Sequence, residues 1–168
     1  MSREIKEFNV VLFDGNEKWI PERGHANDAG FDLKARAVCK VINGKVCDEI
    51  VIDEEFGTFV FHANTRVLVK TGVFLELEPG WEAQIRPRSG MALKSGITLT
   101  NSPGTIDAGY RAEIGCILQN TSDMEFHIKS GMKIAQMVIK QVPLVNLEVV
   151  KELGTTERGL GGFGSTGA

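Results

Sequence analysis

Through most of the middle of the chain apolar residues return at every second position, not every third or fourth. Val73, Leu75 and Leu77 alternate with Phe74, Glu76 and Glu78; Pro79-Gly80 then interrupts, and Trp81, Ala83 and Ile85 resume against Glu82, Gln84 and Arg86. Successive side chains of a strand point to opposite faces, so this stretch reads as a hairpin with one face turned to a core. Further short strands are expected at 8–13, 48–52, 58–61, 66–70, 97–100, 112–118, 124–129, 133–140 and 145–150. Turn signals separate them: Asp14-Gly15, Asn43-Gly44, Thr71-Gly72, Ser102-Pro103-Gly104, Thr121-Ser122-Asp123 and Ser130-Gly131. Only SGMALKSG, residues 89–96, has a helical look, and its bracketing glycines limit it to about two turns. Many short strands joined by regular turns predict an all-β sandwich or barrel. The segment from Cys39 to Phe61 has mixed periodicity and reads as an added surface hairpin.

Composition narrows the class. A chain of 168 residues, 42% of them apolar, suits a single domain that buries roughly 68–70% of its unfolded surface. Net charge is -3, with 19 Lys and Arg against 22 Asp and Glu, and no basic block exceeds two residues, so a nucleic-acid partner is not expected. The start, MSREIKEFNVVLF, carries charges where a signal peptide needs an apolar stretch, and no run approaches the roughly 20 apolar residues of a membrane span. These features predict a cytoplasmic protein with no membrane partner. Cys39, Cys47 and Cys116 form an odd set without CxxC spacing, against both a disulfide framework and a zinc site.

Five stretches are richer in glycine and polar residues than turns require. In DAGFDLKA, residues 28–35, Asp32 sits between Phe31 and Leu33 as the pattern enters a strand. In RPRSGMALKSGI, residues 86–97, Arg88, Ser89 and Gly90 precede or open the short helix. The unpaired N–H groups there, with an arginine and a hydroxyl, suit an anion; Ser89 is equally suited to capping the helix. NSPGTIDAGYRAEIG, residues 101–115, reads as a strand, a tight bend and a returning strand bearing Asp107 and Tyr110. Asp107 fits either a carboxylate that deprotonates a water or an Asx turn. In GMKIAQMVI, residues 131–139, Gln136 is a lone amide among apolar residues, and a buried amide without partners costs about 1–3 kcal/mol. It can bond to main chain or to a ligand. The last stretch, RGLGGFGSTGA, ends a region holding six of the nineteen glycines after position 153. Such a run cannot hold itself in place by packing. Arg158 offers a fork for phosphate, Ser165, Thr166 and glycine amides offer donors, and Phe163 offers a face for a base, which together suggest a lid over a nucleotide triphosphate.

In this order and spacing the five stretches closely resemble the five motifs of the trimeric deoxyuridine triphosphate nucleotidohydrolases (dUTPases), over residues 21–167. The resemblance implies a jelly-roll-like distorted β-barrel at residues 1–151, with a flexible glycine-rich arm at 152–168, assembled as a homotrimer in which each active site is built at a subunit boundary and the arm closes over a neighbouring subunit's site. It implies Mg²⁺-dependent hydrolysis of dUTP to dUMP and pyrophosphate, which keeps uracil out of DNA and supplies dUMP for dTMP synthesis. By carry-over Asp107 is the general base for the water that attacks the α-phosphorus, and Tyr110 packs against the deoxyribose. The hairpin around Asn101 reads the uracil edge. Arg88, Ser89, Gly90 and Gln136 bind phosphates, and Asp32 supports the hydrated metal. Arg158, Phe163, Gly164, Ser165 and Thr166 are the contacts of the lid.

The third motif departs from the family at Gly109, where most members have an acidic residue, and at Ala112, where most have glycine. Two other functions compete. A related dCTP deaminase shares the fold but needs a glutamate in its pocket, and no glutamate lies between Arg88 and Tyr110. A nucleotide-responsive binder would hold dUTP without turning it over.

Overall fold

The structure, a computed structural model, describes residues 5–52 and 57–160. Among these residues there are thirteen strands and one α-helix, the proportion that period-two patterning demands. In chain order the strands are β1 (Asn9–Leu12), β2 (Phe31–Lys34), β3 (Ala37–Ile42), β4 (Lys45–Val51), β5 (Phe59–Phe61), β6 (Arg66–Lys70) and β7 (Val73–Glu76). They continue with β8 (Trp81–Pro87), β9 (Ile97–Leu99), β10 (Gly104–Asp107), β11 (Gly115–Asn120), β12 (Phe126–Ile128) and β13 (Lys133–Gln141). The helix α1 (Ser89–Ser95) follows β8 and stops at Gly96, whose φ of 64° is left-handed.

A four-stranded sheet has the order β10-β8-β13-β2 and a five-stranded sheet the order β4-β3-β6-β11-β9, with two small pairs, β1-β7 and β12-β5, beside them. Every ladder is antiparallel. One core lies between the sheets. Ala83, Ile85 and Met137 enter it from the first sheet, and Val67, Val69, Cys116, Leu118, Ile97 and Leu99 from the second. Polar neighbours on the same strands point away, as a half-buried sheet requires. The architecture is a jelly-roll-like β fold. No helix among the described residues is long and apolar enough to cross a membrane.

Three segments and one pairing differ from the pattern-based expectation. The hairpin expected over 73–86 does not form: β7 pairs with β1, and β8 lies between β10 and β13 in the four-stranded sheet. Residues 37–39 form the start of a strand although they do not alternate, because all three are buried and a strand covered on both faces has no polar set. With β4 they make a hairpin around Asn43-Gly44, both at positive φ (50° and 78°), the backbone that a two-residue hairpin turn needs. The strand expected at 112–118 begins only at Gly115. The Tyr110 amide donates to the Asp107 carbonyl at 3.0 Å and Arg111 Nη1 to the Ala108 carbonyl at 2.6 Å, so the chain turns just after β10. No strand forms at 145–150, although Val145, Leu147 and Val149 alternate as a strand would. Leu147 is 95% and Val149 99% exposed; the periodicity is present but no neighbouring edge accepts the ladder.

Candidate active site

The register of β13 against its two neighbours sets Gln136 opposite Asp32 on one side and opposite Arg86 on the other. Cross-strand partners share a face, so a row of three strands carries Asp32, Gln136 and Arg86 on the outside of the four-stranded sheet. Arg88 lies two residues beyond Arg86 and donates through Nη1 to Asp32 Oδ1. Lys133 Nζ holds the other carboxylate oxygen at 2.8 Å. Gln136 Nε2 donates to the Pro87 carbonyl at 3.1 Å, so the lone amide bonds to main chain. Gly30 makes room for it: a Cβ at that position would come within 2.6 Å of Gln136 Oε1. Asp32, Arg88, Ser89, Gly90 and Gln136 thus line one open pocket of about 440 Å³, with Arg86, Gly30 and Asp28. Arg88 is the N-cap of α1 and Ser89 its first residue; no side chain caps the helix.

A second, smaller pocket of about 150 Å³ opens between the edges of the two sheets, where β10 borders one and β9 the other. Asn101, Gly104, Thr105, Ile106 and Tyr110 line it, backed by Ile85, Leu99, Gly115 and Cys116. It lies below the ~300–1,000 Å³ of drug-sized ligand sites and suits one flat ring presented to strand backbone. Tyr110 is 39% exposed, and its hydroxyl donates to the Glu113 carbonyl at 3.0 Å. Burial pushes the Cys116 thiol up to about 12, which leaves an uncharged wall.

The structure therefore sorts the expected site residues into groups. Asn101 and Tyr110 share the small pocket; Asp32, Arg88, Ser89, Gly90 and Gln136 share the large one. Asp107 is exposed at the end of β10 and lines neither, and its register partner is Glu82. Arg158 stands in an exposed turn at 157–160. Phe163, Gly164, Ser165 and Thr166 lie outside the described residues. Ile85 and Arg86 are neighbours in sequence, yet one backs the small pocket and the other borders the large one. Strand β8 therefore separates the two pockets, and one copy of the chain presents them on opposite faces. Sequence reading missed Lys133, which pairs with Asp32 across a ladder, and the seat that Gly30 gives Gln136; a charge at the third position of the fourth motif was the only signal of the first.

Among the described residues no group of three or more His, Cys, Asp or Glu side chains is placed to hold a metal ion. Both oxygens of Asp32 are engaged by cations, so its carboxylate fits a metal only through the metal's water shell.

Comparison with known proteins bears on this arrangement. The profile of the dUTPase family matches residues 57–167. The deoxyuridine 5'-triphosphate nucleotidohydrolase of Clostridium tetani is 51% identical over 149 residues, covering 88% of this chain and 88% of that protein. That of a Hydrogenobaculum species is 62% identical over 104 residues, 61% of this chain and 71% of the relative. Among solved structures, the dUTPase of Staphylococcus bacteriophage 80alpha with dUPNHPP superposes with a TM-score of 0.76 at 24% identity, covering 98% of this chain and 100% of that one. On the extent and identity of these matches, the chain belongs to the dUTPase family.

Proposed function

We propose that the chain hydrolyses dUTP to dUMP and pyrophosphate at sites shared between the subunits of a homotrimer. The observation that carries the shared site is the separation of the two pockets by β8: a nucleotide whose base enters the small pocket cannot lay its phosphates in the large pocket of the same copy. The large pocket of a neighbouring copy supplies them. The exposed apolar residues Leu144, Val145, Leu147 and Val149 support association, since they lie on a segment that pairs with no strand among the described residues. On the same reading residues 1–151 are the catalytic core and 152–168, with Arg158, Phe163, Gly164, Ser165 and Thr166, are a lid closing over a site of the assembly.

In this site Tyr110 packs against the deoxyribose, and backbone around Asn101 and Thr105 faces the uracil edge. Arg88, Ser89, Gly90 and Gln136 contact phosphate oxygens, and Arg88 exchanges its bond to Asp32 for a substrate oxygen. The Asp107 carboxylate takes a proton from a water whose oxygen attacks the α-phosphorus. The bond from that phosphorus to the bridging oxygen breaks, and the electron pair leaves with pyrophosphate. Mg²⁺ is the proposed cofactor: carried on the triphosphate, with Asp32 bonding to its waters, it neutralises charge on a substrate bearing about four negative charges. The three free thiols, two of them buried, support a reducing cytoplasm.

The test is pyrophosphate release from dUTP, dTTP, dCTP and UTP with Mg²⁺, comparing the full chain with one ending after Gly154. Release from dUTP alone, lost on truncation, is expected. Tight dUTP binding without release would replace hydrolysis by a binding role, and full activity of the short chain would remove the lid.

A further inference from the structure

One cluster of charge lies outside both pockets, built around a buried arginine. Arg36, 5% exposed, uses four N–H donors on two carboxylates: Nη1 and Nη2 reach Glu49 at 2.7 and 2.9 Å, and Nε and Nη2 reach Glu113 at 3.0 Å each. The Phe13 ring covers the guanidinium at 3.8 Å. Glu113 is also bonded by the Gly72 amide at 2.7 Å and approached by Lys70 Nζ at 3.6 Å. Two cations thus balance two carboxylates, and the outer carboxylate, Glu49, is the one furnished by β4, the edge strand.

Glu113 is where this cluster meets the small pocket. Its carbonyl accepts the hydroxyl of Tyr110, and the next residue, Ile114, is tied to the 71–73 turn by its amide to the Val73 carbonyl at 2.8 Å and its carbonyl from Thr71 Oγ1 at 2.7 Å. We propose that Glu49, on the β3–β4 hairpin, is a positioning residue for Tyr110, acting through Arg36 and Glu113. Fixing the guanidinium from both sides orients the Glu113 carboxylate; the oriented side chain anchors the backbone at 113; and that backbone holds the tyrosine ring against the pocket. Without Glu49 the buried cluster carries an uncompensated positive charge, and Arg36 turns toward Glu113 or toward solvent. The hairpin that reads as an appendage in the sequence is then part of the substrate site's scaffold. In selectivity the proposal rests on Tyr110 being the sugar contact; in geometry it does not.

Tyr110 is the only tyrosine of the chain, so ring-¹³C-tyrosine labelling reports on this one residue in the whole protein by NMR. The variants are E49Q and, as a control, E125Q, which alters an exposed carboxylate bonded to His62 at 2.8 Å. E49Q is expected to move the Tyr110 ring resonances and to lower the kcat/KM preference for dUTP over UTP by about tenfold, within the ~100-fold that a 1 Å misplacement can cost. E125Q is expected to do neither. Should E49Q yield too little folded protein, E49D, which keeps the charge and shortens its reach, gives a smaller change in the same direction. Unmoved Tyr110 resonances in a folded Glu49 variant overturn the proposal. Moved resonances with an unchanged dUTP preference uphold the positioning role and overturn the sugar contact instead.

Discussion

Gln136 keeps its place because residue 30 has no side chain. The amide bonds to the Pro87 carbonyl and still faces the large pocket only while the space over Gly30 stays empty; a methyl there would stand 2.6 Å from Oε1 and 3.3 Å from the glutamine Cβ. Gly30→Ala is therefore expected to push the amide aside, raise KM for dUTP more than it lowers kcat, and cost about 1–3 kcal/mol of overpacking strain. Steady-state kinetics with a thermal melt separate the two effects. At this scale the sequence was a partial guide. The lone amide among Ala135, Met137 and Val138 is visible as a polar break in an apolar run, and so is Asp32 between Phe31 and Leu33. What Gln136 and Asp32 touch was not visible, because Gly30, Lys133 and Pro87 reach them only through the register of strands distant in sequence.

The hairpin β3–β4 carries a stability that depends on pH. The Arg36 hydrogen bonds hold the Glu49 carboxyl below its ordinary 4.5, against the opposing effect of burial. A carboxylate lowered in the folded state contributes stability that is whole above the unfolded value and is lost as pH falls through the folded one. The protein is thus expected to lose stability as pH falls below 4.5, and E49Q to show a shallower loss over the same range, read from urea midpoints along a pH series. The sequence disclosed this element by its turn, Asn43-Gly44, and by part of β4, expected at 48–52, but not by β3, since periodicity fails where Ala37, Val38 and Cys39 are all buried. The opposite error occurs at 145–150, where alternation is clear and no strand forms. A pattern records which face wants cover; it does not record whether the cover belongs to the same chain.

For the whole molecule, the all-β class and the short helix were legible from alternation and glycine spacing, and the family from five motifs in order. A site shared between subunits was implied by the same resemblance; its physical cause within one chain was not legible, because it depends on parity along β8: Ile85 and Arg86 differ by one position and face apart. That parity has a genetic consequence. If each site draws the Asp107–Tyr110 side from one subunit and the Arg88 side from another, a chain carrying D107N and a chain carrying R88A are each inactive alone and damaged in different halves. Co-expressed, they are expected to form mixed assemblies with some undamaged sites and to recover dUTP hydrolysis well above either parent. A mixture as inactive as its parents would put every site within one chain. Two defective alleles of such an enzyme can rescue each other, so a population can carry both losses in company though neither by itself.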